Sequence, residues 1–107
     1  MSVIQISAKD LYKKISGDVK PLLLDVRELN EFEYARIDGS LHIPLNQIPQ
    51  RIDEIDRTID CVVICHHGVR SQQAADFLVH SGLINIYNLS GGIDAWSVDC
   101  DNTVSRY

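Results

Sequence analysis

The stretch Cys61-Val62-Val63-Ile64 constrains this chain more than any other. It is uniformly apolar and rich in β-branched residues, with no polar residue alternating, so it reads as a strand covered on both faces, the kind found in a parallel sheet. Parallel strands need long crossover connections, usually helical, and the remaining sequence offers them in order. Val3, Ile4 and Ile6 predict a short strand, and Ser7 an N-cap for a helix carrying Leu11, Tyr12 and Ile15 that Gly17 stops. Leu22-Leu23-Leu24, opened by Pro21, reads as a buried strand ending in Asp25-Val26-Arg27, with a short helix after it around Phe32 and Tyr34 and Gly39 past its end. Leu41 to Ile43 is a third strand closed by Pro44, and Ile48, Ile52 and Ile55 mark an amphipathic helix interrupted early by Pro49. Beyond the Cys61 strand, Ser71 begins a helix with Ala74, Ala75, Leu78 and Val79 on one side and Gly82 as its stop. Ile84 to Leu89 alternates as a last strand, and Gly91-Gly92 lead into a helix holding Ala95 and Trp96. This pattern predicts an α/β fold, a mostly parallel central sheet of about five strands with helices on both faces.

A length of 107 residues allows one such domain. The periodic pattern ends near residue 98, which predicts a domain over 1–98 and a loosely held polar tail over 99–107. Ten basic residues against fifteen acidic ones, a net charge of −5, and no basic cluster longer than Lys13-Lys14 argue against nucleic acid and against a membrane held by charge. A small anion is still compatible, because a loop of oriented backbone N–H groups can hold one on a molecule that is negative overall. Three cysteines, Cys61, Cys65 and Cys100, are too few and of the wrong parity for a secreted disulfide framework and suggest a reducing compartment. With no basic start and apolar run resembling a signal peptide, the expected localisation is cytoplasmic.

In an open parallel sheet, ligands lie at the carboxyl ends of strands. That places interest on Cys65-His66-His67-Gly68-Val69-Arg70-Ser71, which follows the most buried strand and leads into the most convincing helix. Three effects there favour a thiolate on Cys65: the positive end of the helix dipole, the N–H groups of a tight loop, and the cation of Arg70 with any charge on His66 or His67. Gly68 permits the positive φ that lets the loop curl. Cys61, inside the strand without polar neighbours, reads as core, and Cys100 in the tail as incidental. Cys61, Cys65, His66 and His67 lack the spacing of a zinc knuckle, so no metal is expected. Gly91-Gly92 lacks the Lys and Ser/Thr of a phosphate-binding P-loop and reads as a turn bringing the last helix to the active edge.

The segment Cys65 to Ser71 resembles the active-site loop of single-domain rhodaneses, the thiosulfate sulfurtransferases, with their Cys-x-x-Gly-x-Arg-Ser pattern. Leu23-Leu24-Asp25-Val26-Arg27-Glu28, Glu31-Phe32 and Gly39-Ser40-Leu41-His42-Ile43-Pro44 match the family upstream, and Gly91-Gly92-Ile93-Asp94-Ala95-Trp96 matches it downstream. The resemblance spans nearly the whole chain and implies a single rhodanese-like domain. It further implies sulfur transfer through a persulfide on Cys65, with His66, His67, Gly68, Val69 and Arg70 binding the substrate and no cofactor. The implied partners are a small anionic sulfur donor such as thiosulfate and a cyanide or thiol acceptor, with a protein acceptor of sulfur as a further option. The alternative is a persulfide carrier or a non-catalytic binding module acting with a protein partner.

Related phosphatases have five residues between Cys and Arg, whereas four separate Cys65 from Arg70, a loop sized for one sulfur atom rather than a phosphate. Two positions depart from the family. Ala35-Arg36 stands where Gly-His is usual, a change expected to alter a surface turn. His66 and His67 stand where members active on thiosulfate often carry Arg or Lys, which bears on the donor more than on sulfur transfer. Asp25 and Arg27 are expected to pair or to fix loops together with the glutamates at 28, 31 and 33; His42 is expected to be structural, and Trp96 to be core or pocket wall.

Overall fold

Four register-defined parallel pairings join the five strands of the computed structural model, which describes residues 2–107, in the order β1-β5-β4-β2-β3. The strands are β1 (Ile4–Ile6), β2 (Leu22–Asp25), β3 (Leu41–His42), β4 (Cys61–Ile64) and β5 (Ile86–Leu89). The helices are α1 (Ala8–Ile15), α2 (Leu29–Tyr34), α3 (Ile48–Arg51), α4 (Val69–His80) and α5 (Gly92–Asp99). Met1, the first residue of the expected 1–98 span, lies outside the described residues. The expected α/β architecture is the observed one.

Strand β4 is central, flanked by β5 and β2, and every residue in it is buried. Its side chains alternate between two cores as the pleat requires. Cys61, Val63 and Cys65 join the core that includes Ala74, Ala75 and Leu78 of α4 and Ile48 of α3. Val62 and Ile64 join the opposite core with Leu11 of α1 and with Ile93 and Trp96 of α5. The crossover from β1 to β2 runs one way across the sheet and that from β4 to β5 runs back. Right-handed crossovers therefore place α1 and α4 on opposite faces.

Four local expectations change. Helix α4 starts at Val69 rather than Ser71, because Gly68 adopts φ 105° and serves as its N-cap, so Val69 and Arg70 belong to the first helical turn. The segment with Ile48, Ile52 and Ile55 is α3 between two 3₁₀ turns, Leu45–Gln47 and Ile52–Glu54, since Pro49 restricts the helix start. Strand β5 begins at Ile86, after Asn85 takes a positive φ of 59°. The tail is not loose: Val104 is buried in the α1/α5 core, the Ser97 hydroxyl donates to its carbonyl, and Arg106 pairs with Asp94 at 2.9 Å. The α1 N-cap is as expected, with Ser7 Oγ accepting from the Asp10 amide at 3.1 Å.

Candidate active site

Cys65 follows β4 directly and points to the α4 side of the sheet in phase with Cys61 and Val63, its side chain 1% exposed. The chain then has three residues in which to turn into α4. Gly68 makes this possible twice over: its φ lies in the left-handed region, and a Cβ there would run into the Ser90 backbone carbonyl. The turn aims the Gly68 amide at Cys65 Sγ, 3.1 Å away. The first internal bond of α4 is from the Gln72 amide to the Gly68 carbonyl, so the amides of Val69, Arg70 and Ser71 are the orphan donors that a helix leaves at its start.

The other half of the loop geometry comes from α5. Its Ile93 amide donates to the Cys65 carbonyl at 2.8 Å and its Asp94 amide to the His66 carbonyl at 3.2 Å. Those carbonyls are thereby held toward α5. The approach demands glycine at position 92, where φ is +66° and a Cβ would meet the His66 carbonyl and the His67 nitrogen. The expectation that Gly91-Gly92 brings the last helix to the active edge is met in this contact.

Of the predicted amide cradle over residues 66 to 70, Gly68 supplies the one amide hydrogen bond to the sulfur found among the described residues. A second polar contact went unpredicted. Ser71, read from sequence as a helix start, places Oγ 3.3 Å from Sγ, and its own partner is Asn88 of β5. The signal available in sequence was the Ser closing the loop pattern; nothing local linked it to Asn88.

Arg70 is at the loop as expected, but its charge is shared. Its guanidinium grips Glu31 of α2 through two bonds of 2.6 and 3.0 Å. Those bonds hold the Glu31 carboxyl down at about 2, helped by the Tyr107 hydroxyl and opposed by burial. They also raise the Arg70 pKa. The His66 and His67 rings stack at 4.1 Å, and the Tyr107 ring lies tilted by 38° at 4.1 Å from His66. Burial, then the neighbouring His67, lower the His66 pKa, which works against positive charge on His66. Cys61 behaves as core: burial alone pushes its thiol up to about 12.

Asp25 and Arg27 form the anticipated pair, both fully buried, with Arg27 Nη2 2.7 Å from Asp25 Oδ2. The guanidinium also donates to the carbonyls of Glu31 and Ala35 at the end of α2 and to the Tyr107 hydroxyl, 2.9 Å away. Every donor direction is used, which is what a buried cation requires. Among the glutamates, Glu31 is the one that ties α2 to the loop. Ala35 is buried and caps α2, so the departure at Ala35-Arg36 is not confined to a surface turn. His42 is structural, its Nε2 2.7 Å from the Arg27 carbonyl and its ring stacked on Phe32. Trp96 is buried in the α1/α5 core. A depression of about 500 Å³ is lined by residues that include Tyr34, Arg36, Trp96 and Val104 and none of the loop Cys65 to Ser71. Among the described residues no helix is long and apolar enough to cross a membrane.

Comparison with known proteins points to the same loop-bearing fold. The family model for the rhodanese-like domain matches residues 7–99. A sulfurtransferase of Allochromatium vinosum is 35% identical over 95 residues, covering 89% of this chain and 89% of that protein. YrkF of Bacillus subtilis, whose name describes a sulfur carrier protein, is 34% identical over 96 residues, 90% of this chain; the chain spans 52% of that protein's length. The crystal structure of a rhodanese-related protein from Thermoplasma volcanium superposes with a TM-score of 0.82 at 36% identity, covering 91% of this chain and 93% of that one. A match of this extent, over a sheet and loop built as described, makes the chain a member of the rhodanese-like domain family.

Proposed function

We propose that the protein is a sulfurtransferase that carries a sulfane sulfur as a persulfide on Cys65. The observation that supports this most directly is the Gly68 amide donating to Cys65 Sγ at the head of α4. A thiolate there attacks the outer sulfur of thiosulfate, the bond from that sulfur to sulfite breaks, and sulfite leaves with the electron pair. The product is a Cys65 persulfide whose charge sits on the terminal sulfur. The orphan amides of α4 and the helix dipole stabilise that anion without proton transfer. In the second half-reaction a thiolate or cyanide attacks the terminal sulfur and Cys65 leaves as thiolate, which gives ping-pong kinetics. His66, His67, Gly68, Val69 and Arg70 form the wall the donor meets. With Arg70 engaged by Glu31, a persulfide or polysulfide donor suits this wall as well as thiosulfate does.

A carrier shares the first step and differs in the second. The likeness to YrkF, whose name describes a sulfur carrier protein, favours it. Intact mass after incubation with thiosulfate or polysulfide distinguishes these readings. The wild type should gain one sulfur, about 32 Da, and Cys65→Ser none. No gain from either donor removes the sulfur-transfer reading. Loading followed by slow release to cyanide and small thiols selects the carrier.

A further inference from the structure

Beside Cys65 runs a buried polar chain that sulfur transfer as described does not use. Asn88 lies on β5 paired with Val63 of β4, and its side chain is 3% exposed. Its Nδ2 faces three oxygens: the Gly68 carbonyl at 3.2 Å, Gln5 Oε1 at 3.0 Å and Gln72 Oε1 at 3.1 Å. A backbone carbonyl only accepts, so the Gly68 contact fixes the orientation of the amide and turns Oδ1 toward Ser71. Ser71 Oγ donates to that Oδ1. A serine hydroxyl has a single proton, and here it is engaged by Asn88. What Ser71 presents to Cys65 Sγ, 3.3 Å away, is therefore a lone pair. The contact is favourable when the Cys65 thiol donates, and the chain then runs in one direction from Sγ–H to Ser71 Oγ–H to Asn88 Oδ1.

We propose that Asn88 is a positioning residue that competes with Cys65 for the Ser71 proton and so disfavours negative charge on Sγ. The inference rests on Cys65 being the sulfur-carrying nucleophile proposed above. The three states of Cys65 respond differently to the competition. In the thiol, Sγ–H satisfies Ser71. In the persulfide, the charge lies one atom beyond Sγ, and Ser71 can stay on Asn88. In the thiolate, the charge faces a lone pair unless the hydroxyl turns to the sulfur, and that turn strands Asn88 Oδ1 in a buried site. The thiolate alone is penalised.

This has a consequence for unloading. An acceptor thiolate attacks the terminal sulfur and forms a new sulfur–sulfur bond. The old bond breaks with its electron pair going to Sγ, and the products are the acceptor persulfide and the Cys65 thiolate. Because that thiolate is the leaving group, Asn88 slows unloading and lengthens the life of the persulfide, as a protein that holds sulfur for its acceptor needs. Charged or titratable groups in the loop and on the elements packed against it include Arg70 on α4 paired with Glu31 of α2, His66 and His67 in the loop, Asp94 on α5, the Asp25 and Arg27 pair at the end of β2, Cys61 on β4, and Tyr107. Among the described residues Asn88 hydrogen-bonds to none of them.

The test is the pH profile of Cys65 alkylation, read at the Cys65 peptide by mass spectrometry, for wild type, Asn88→Leu, Ser71→Ala and the double variant. Asn88→Leu frees the Ser71 proton for the sulfur. The midpoint should fall by about one pH unit, the scale of one hydrogen bond to a charged acceptor, and the loaded protein should release sulfur to a small thiol about tenfold faster. In the Ser71→Ala background the same substitution should move neither quantity. An unmoved or raised midpoint in Asn88→Leu, or an equal fall without Ser71, overturns the proposal. If Asn88→Leu does not fold, the wild type decides. The Cys65 S–H stretching band, isolated by difference against Cys65→Ser, should lie at the frequency of a donating thiol, and a free-thiol band overturns the proposal. Alkylation needs no sulfur donor, so a protein that fails to load sulfur refutes the transfer reading separately from this result.

Discussion

Replacing Glu31 with glutamine tests how the loop is tied to the rest of the molecule. Glu31 receives two bonds from Arg70, one from the Tyr107 hydroxyl at 2.8 Å and one from the Glu28 amide at 3.0 Å, and these hold its carboxyl at about 2 instead of the usual 4.5. At roughly 1.36 kcal/mol per pH unit, such a displacement corresponds to about 3 kcal/mol if none of it is screened. The Arg70 side chain is 34% exposed and that of Glu31 16%, so solvent and salt reduce the contribution to about 1–2 kcal/mol. Because the folded carboxyl is the stronger acid, this stabilisation is complete above the usual 4.5 and is lost as pH falls toward about 2. Urea unfolding of wild type and Glu31→Gln, followed between about pH 7 and pH 2.5, reads it directly. The wild type should be more stable by about 1–2 kcal/mol at neutral pH, with the gap closing across the acid range and shrinking in high salt. A gap of constant size across that range would refute the reasoning, since it would come from packing rather than charge.

Two further substitutions probe the frame around the loop. Gly92→Ala puts an L-residue at φ +66° and its Cβ into the His66 carbonyl; it should destabilise by about 2–4 kcal/mol in urea unfolding and abolish sulfur loading by mass. Gly39→Ala, at φ +85° with open space around it, should lose about 1–2 kcal/mol and keep loading; equal effects at both positions would show that the contact with the loop is unimportant. Arg27→Met leaves the buried Asp25 carboxylate unpaired and should lose about 3–5 kcal/mol, while Arg27→Met with Asp25→Leu should lose much less. A single variant within about 1 kcal/mol of wild type in thermal or urea unfolding contradicts the buried-pair account.

Local pattern was sufficient wherever the determinant lies within a few residues. The apolar run Cys61 to Ile64, the cap at Ser7 and the glycine at 68 each declare themselves through periodicity, capping chemistry or backbone freedom, and together they place Cys65 at a strand end facing a helix start. Where neighbours compete, local reading slips by a turn. Ser71 looks like a helix start, yet the left-handed Gly68 begins the helix earlier. The tail looks polar and free, yet Val104 and Tyr107 find partners in the folded core and at the loop.

The order of elements, the parallel character of the sheet and the candidate nucleophile were thus legible in the chain, because each leaves its mark in patterns of residues close together along it. What surrounds the sulfur emerges on folding. Ser71 meets Asn88 across 17 residues, Arg70 meets Glu31 across 39, and Arg27 meets Tyr107 across 80. Sheet order brings β5, β4 and β2 side by side, and packing then carries α2 and the tail to the same edge. A hydrogen bond acts over about 3 Å of space whatever the separation along the chain, so the sequence can supply its donors and acceptors but only the folded sheet selects which of them meet.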